Sequence, residues 1–175
     1  MERVMRMKKM ISIFMLCFSV TALHSFDWAL TGASVTHFPD GSVLSDGMYG
    51  QIGFRAVLTP RLESELLFMP QITPRPLDSF AVGLLAGFNI LGPVEPPNFN
   101  MILDAGLLYT FTPEDAKGKP VLHARISPLV IGNPIYKHRG RMFTLGLLYD
   151  IPDQRFSWSF STVIHNWFVS RHSER

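Results

Sequence analysis

Cysteine is nearly absent from the 175 residues: the only one is Cys17. It sits in the N-terminal stretch, behind Leu16, which is bulkier than lipoprotein processing usually accepts. If that stretch is removed, no thiol nucleophile, disulfide or thiolate–metal site remains. No apolar run is long enough to cross a bilayer as a helix, which takes about 20 residues. There is no glycine-rich phosphate loop, and His123, His138, His165 and His172 show no metal-ligand spacing. Neither a cofactor nor a metal is therefore expected. Basic excess is lacking too. The chain carries 16 Lys and Arg against 14 Asp and Glu. Residues 1–22 hold four of the bases and one acid, which leaves 12 bases against 13 acids beyond them. A nucleic-acid footprint is excluded on that balance.

The N-terminus reads as an export signal. Arg3, Arg6, Lys8 and Lys9 precede the apolar run Met10–Leu23, and Val20-Thr21-Ala22 supplies small residues for cleavage. Residues 1–25 are therefore assigned to a signal peptide, 26–168 to one domain and 169–175 to a short polar extension.

Within that domain, turn signals recur at short intervals, among them Pro39-Asp40-Gly41, Thr59-Pro60, Pro74-Arg75-Pro76, Pro113-Glu114-Asp115 and Pro152-Asp153. They delimit segments at 27–38, 48–58, 61–72, 80–91, 99–111, 121–130, 142–151 and 155–168. Segments of this length, joined in order, predict an all-β, up-and-down antiparallel barrel of about eight strands. Arg155–Phe168 is the clearest: Phe156, Trp158 and Phe160 alternate with Ser157, Ser159 and Ser161. Glycines in Gly83-Leu84-Leu85, Gly106-Leu107-Leu108 and Gly146-Leu147-Leu148 fall on the face opposite the bulk, where a small barrel has little room.

Sorting charges by face decides which side is wet. Sets such as Leu62/Leu66/Phe68, Leu84/Ala86/Phe88, Leu103/Ala105/Leu107 and Leu145/Leu147/Tyr149 hold no charge. The opposite faces hold Gln51, Arg55, Glu63, Glu65, Asn89, Asp104, His123, Arg125 and His165. Hairpin geometry sets Arg55 across from Glu63, with Glu65 on the diagonal, and Asp104 across from Arg125, as ion pairs in a confined lumen. A charge-free outer band suits lipid, where Arg or Lys at midplane costs about 2–4 kcal/mol. Two aromatic belts support it: Phe38, Phe80, Tyr109, Phe111, Tyr149, Phe156 and Trp158 at one rim, and Trp28, Phe88, Phe99, Phe143, Trp167 and Phe168 at the other. A soluble, lipocalin-like periplasmic barrel around a greasy ligand is the alternative, and would scatter Lys and Glu outside.

In its signal peptide, eight alternating segments and terminal aromatic strand, the chain resembles the small outer-membrane barrels of the OmpA-domain, OmpX and OmpW kind. The resemblance implies residence in a bacterial outer membrane, contact with its lipids, dealings with the barrel assembly machinery, and a monomer with a structural or small-solute role. An eight-stranded lumen is filled by side chains, so bulk flux is not expected. A weaker likeness joins His37 to Asp78-Ser79, a set similar to that of the lipid A palmitoyltransferase family; on the residues themselves, turn chemistry and a solvated histidine account for them. The expectation is a non-enzyme.

Overall fold

The computed structural model describes residues 27–38, 44, 47–59, 61–91, 99–113, 115–131 and 140–170. The assigned signal peptide, and residues 171–175 of the polar extension, lie outside them. Alternation of large apolar with small or polar residues produces ten strands: β1 (Asp27–Phe38), β2 (Gly47–Val57), β3 (Leu62–Thr73), β4 (Phe80–Asn89), β5 (Phe99–Thr112), β6 (Asp115–Ile131), β7 (Gly140–Arg141), β8 (Thr144–Asp150), β9 (Arg155–Ser161) and β10 (Ile164–Ser170). Val169 and Ser170 therefore belong to the last strand and not to an extension.

Consecutive strands pair antiparallel from β1 to β6. β7 and β8 both pair with β6, and β9 and β10 both pair with β1, so each couple is one stave with a break in it. β8 pairs with β9 and β7 with β10, which closes eight staves into a ring with no free edge.

The two breaks change which side chains face inward. Arg141 and Thr144 are both buried, while Met142 and Phe143 between them are both exposed. β6 answers with Ser127 and Val130 buried on either side of Pro128 and Leu129, and the Met142 amide donates to the Leu129 carbonyl at 2.9 Å. An extra residue on each strand is a bulge, and a proline without an N–H sits there without breaking the ladder. The second break, at Thr162 and Val163, leaves Ser161 and Ile164 both buried. From there on the alternation is inverted.

The interior is divided along its length. Toward the rim where β1 ends, Phe38, Tyr49, Leu67, Met69, Leu108 and Leu148 are at most 1% exposed and form one apolar cluster. Leu44, from the segment between β1 and β2, is buried among them. Phe38 meets Tyr49 edge to face at 5.0 Å. It shares the inward face with Ser34 and Thr36, so it is a core residue and not part of a rim belt. Toward the rim where β1 begins, the interior is ionic.

Outside, between strand ends, the outward positions of β2, β3, β4, β5 and β8 carry no Asp, Glu, Lys or Arg. Leu84, Leu107, Leu145 and Leu147 are exposed there, as is Leu122 on β6. Near the far rim Phe68, Phe80 and Phe111 pack in sequence, as do Tyr149 and Phe156, and near the first rim Trp28 stacks on Phe54.

Candidate functional site in the barrel interior

Cross-strand register builds the ionic site. One row across the sheet reads Val57, Glu63, Gly87, Asp104, Arg125, Gly146, Ser159. The next reads Arg55, Glu65, Leu85, Gly106, His123, Leu148, Ser157. Charged residues on β2, β3, β5 and β6 thus point at one another across a narrow lumen, and the bulge after β7 adds Arg141.

The six groups alternate in sign around a ring. Arg125 donates through Nη2 to Glu65 Oε2 at 2.6 Å and through Nε to Asp104 Oδ2 at 3.1 Å. Arg141 donates to both Asp104 oxygens and, through Nη2, to Glu63 Oε1 at 2.6 Å. Arg55 Nη1 lies 3.8 Å from the other Glu63 oxygen, and its register partner is Glu65. Three guanidiniums balance three carboxylates, all at least 95% buried. Thr31 Oγ1 donates to Glu65 Oε1 at 2.7 Å, which helps fill that carboxylate's remaining capacity. Buried charges persist only when paired and hydrogen-bonded in this way.

Glycines make the room. A Cβ on Gly87 would stand 2.7 Å from Asp104 Oδ1 and 2.8 Å from Glu63 Cγ, and one on Gly53 would stand 2.5 Å from Glu65 Oε1. Both positions need a residue without a side chain because the carboxylates occupy that space.

Of the residues singled out from sequence, Arg55, Glu63, Glu65, Asp104 and Arg125 lie in this ring, but the residue directly across from Arg55 is Glu65, and Glu63 is the diagonal one. Gln51 reaches it through Nε2, 3.5 Å from Glu65 Oε1. His123 is buried one inward step above Arg125. Asn89 is buried near the rim where β1 begins, with Nδ2 3.5 Å from the Arg61 carbonyl. His165 is a correction: it does not face the lumen. The break at Thr162–Val163 turns it outward beside Gly140, and Asn166 takes the inward position. Arg141 went unread for the same kind of reason, since unbroken alternation with Phe143 places it outside.

His37, Asp78 and Ser79 are not brought together. His37 is exposed on β1, its Nδ1 3.1 Å from the Gly47 carbonyl, whereas Ser79 is fully buried just before β4. β2 and β3 stand between them, three strand spacings or about 14 Å. Asp78 lies 4.0 Å from Arg75. Among the described residues no group of three or more His, Cys, Asp and Glu is arranged to hold a metal ion.

Chemically, the ring is balanced in charge and hydrogen-bonded within itself, and it fills this part of the lumen beneath the apolar cluster. Compared with known protein families and with curated proteins, the chain matches none.

Proposed function

We propose that this chain is an integral β-barrel of a bacterial outer membrane, exported by its N-terminal signal and inserted by the barrel assembly machinery. Its role is structural, with a lumen closed to bulk solute by the ionic ring and the apolar cap. The observation that carries the reading is the inversion of the usual arrangement: charge is collected inside while Leu84, Leu147 and Trp158 are each about half exposed. Soluble monomers rarely expose contiguous apolar patches beyond a few hundred Å², whereas a lipid-facing band requires one. The lipocalin-like alternative needs a greasy interior cavity, whereas six buried charges collect in this interior.

Carbonate washing of membranes that carry the full-length chain tests the reading. An integral barrel stays in the pellet and migrates faster on a gel before boiling than after; release into the supernatant overturns it. Planar-bilayer recording then asks whether the ring gates anything. The closed barrel is expected to conduct negligibly, and Glu65→Ala or Arg125→Ala with no change in conductance assigns the ring to stability alone.

A further inference from the structure

The inner wall is not uniform around the ring. On β8, β9 and β1, below Leu148 and Phe38 of the apolar cluster, it presents hydroxyls and small residues: Thr144, Gly146, Ser159, Ser161 and Thr36 all face inward. Where two hydroxyls meet across strands they bond each other, Thr36 with Ser161 and Ser127 with Thr144, each at 2.8 Å. Three polar groups that point into this wall have no such partner among the described residues. Both ring nitrogens of His123, Oγ of Ser34 and Oδ2 of Asp150 are unbonded, and each of these residues is at least 97% buried.

The placement of His123 is specific. A Cβ on Gly146 would lie 2.6 Å from His123 Nε2 and would also collide with Ser159 Oγ. The imidazole therefore reaches over Gly146 toward the serine ladder of β9, and only a residue without a side chain leaves that approach open. Asp150 closes the far end of the same wall, where its Oδ1 accepts from the Asp153 amide at 3.1 Å and its Oδ2 turns inward without a donor. Ser34 sits at the junction of β9 and β10. Its neighbour Val35 bonds Thr162 through its amide and carbonyl, which leaves the serine hydroxyl to the lumen. A buried imidazole with both ring nitrogens unmet, its Nε2 and the Ser159 hydroxyl both close upon Gly146, matches what an internal water satisfies, with two to four polar partners.

We propose that the space over Gly146 is a water-binding seam: ordered water molecules sit there against the His123 imidazole, along the serine ladder of β9. The ligand class is water and uncharged hydrogen-bonding molecules of its size; Arg125, in the same row as Gly146 and Ser159, is already paired with Glu65 and Asp104. The seam follows from the interior geometry and does not depend on what surrounds the barrel.

Water-selective nuclear Overhauser spectroscopy on the full-length barrel, folded in detergent micelles, tests it. Cross-peaks from long-lived water are expected at the His123 ring and the Gly146 and Ser159 amides, and none at the Leu67 and Leu85 amides on the opposite wall. Their absence at His123 and Gly146 overturns the seam. Ser159→Ala separates bound water from relay through the serine hydroxyl: a surviving His123 peak supports the seam, and a lost one overturns it. Ser159→Val fills the space with methyl groups. A hydrated seam then loses its His123 signal and the barrel unfolds at lower temperature; a dry one gains stability, which overturns the proposal. If Ser159→Val does not fold, the wild-type and Ser159→Ala spectra decide alone.

Discussion

The two halves of the lumen fill the same narrow space by opposite means. In the far half, Leu67, Leu108 and Leu148 exclude water by size, and each contributes through its own contacts. In the half nearer the start of β1, six charged groups depend on one another, and Asp104 alone is shared by Arg125 and Arg141. Loss of one leucine is thus a local injury, whereas loss of Asp104 uncovers two guanidiniums. A buried ion network is a poor source of net stability yet costly to break from one side. The contrast makes the ionic half the more fragile half per residue removed.

Asp104→Ala is accordingly expected to have the largest effect, on the order of 4 kcal/mol, as for a buried pair stripped of one partner. Urea unfolding of the barrel in lipid vesicles, followed by its heat-modified gel mobility, measures it. Leu108→Ala comes next at about 3 kcal/mol, in the range for a buried leucine that leaves a cavity. If Leu108→Ala proves the more damaging, the ring does not act as a unit and the comparison fails. Gly87→Ala sharpens the point without removing a charge. Its new methyl must displace the Asp104 carboxylate or the Glu63 stem, at about 1–3 kcal/mol, the usual cost of overpacking. The same measurement should show no comparable loss for Ala105→Gly on the outer face, where nothing charged is touched.

How far this division could be read in the sequence depends on the regularity of each strand. β3, β4 and β5 alternate without a slip through their middles, so Glu63, Glu65 and Asp104 were assignable to the inner face from residue parity. Asp104 does stand opposite Arg125, but the turn itself pairs Thr112 with Asp115, and an irregularity between Thr110 and Thr112 shifts the register by two to bring them together. Parity fails wherever a bulge intervenes. The two breaks separate Arg141 and His165 from the regular parts of their staves; His165 landed on the wrong face for that reason, and Arg141 went unread. A signal was present in both cases. Arg141 in phase with Phe143 puts a charge on an otherwise charge-free face, and Trp167 beside Phe168 places two bulky residues where alternation allows one. The ring also joins residues up to 78 positions apart, as in Arg141 with Glu63. Pairing of neighbouring strands cannot reveal such contacts, because they cross the lumen and not the sheet.

The smallest expected effect comes from an ion pair of the same chemistry placed in water. Lys119 Nζ lies 2.8 Å from Asp153 Oδ2 at the β8–β9 hairpin, with the side chains 34% and 45% exposed. The hydrogen bond from Lys119, reinforced by its charge, holds the Asp153 carboxyl below the ordinary aspartate range. A carboxyl lowered by folding contributes stability above its unfolded value and loses it as pH falls through the folded one. Solvent screens an exposed pair and ordering its long side chains offsets the attraction. Lys119→Ala should therefore lower the thermal unfolding midpoint at pH 7 by less than Gly87→Ala does. The gap between Lys119→Ala and wild type should close as the pH drops below the Asp153 folded value, since an uncharged carboxyl no longer distinguishes lysine from alanine. An effect at pH 7 as large as that of Asp104→Ala would mean that geometry alone sets the strength of these pairs. A small effect that vanishes in acid ties the fragility of the inner ring to its burial.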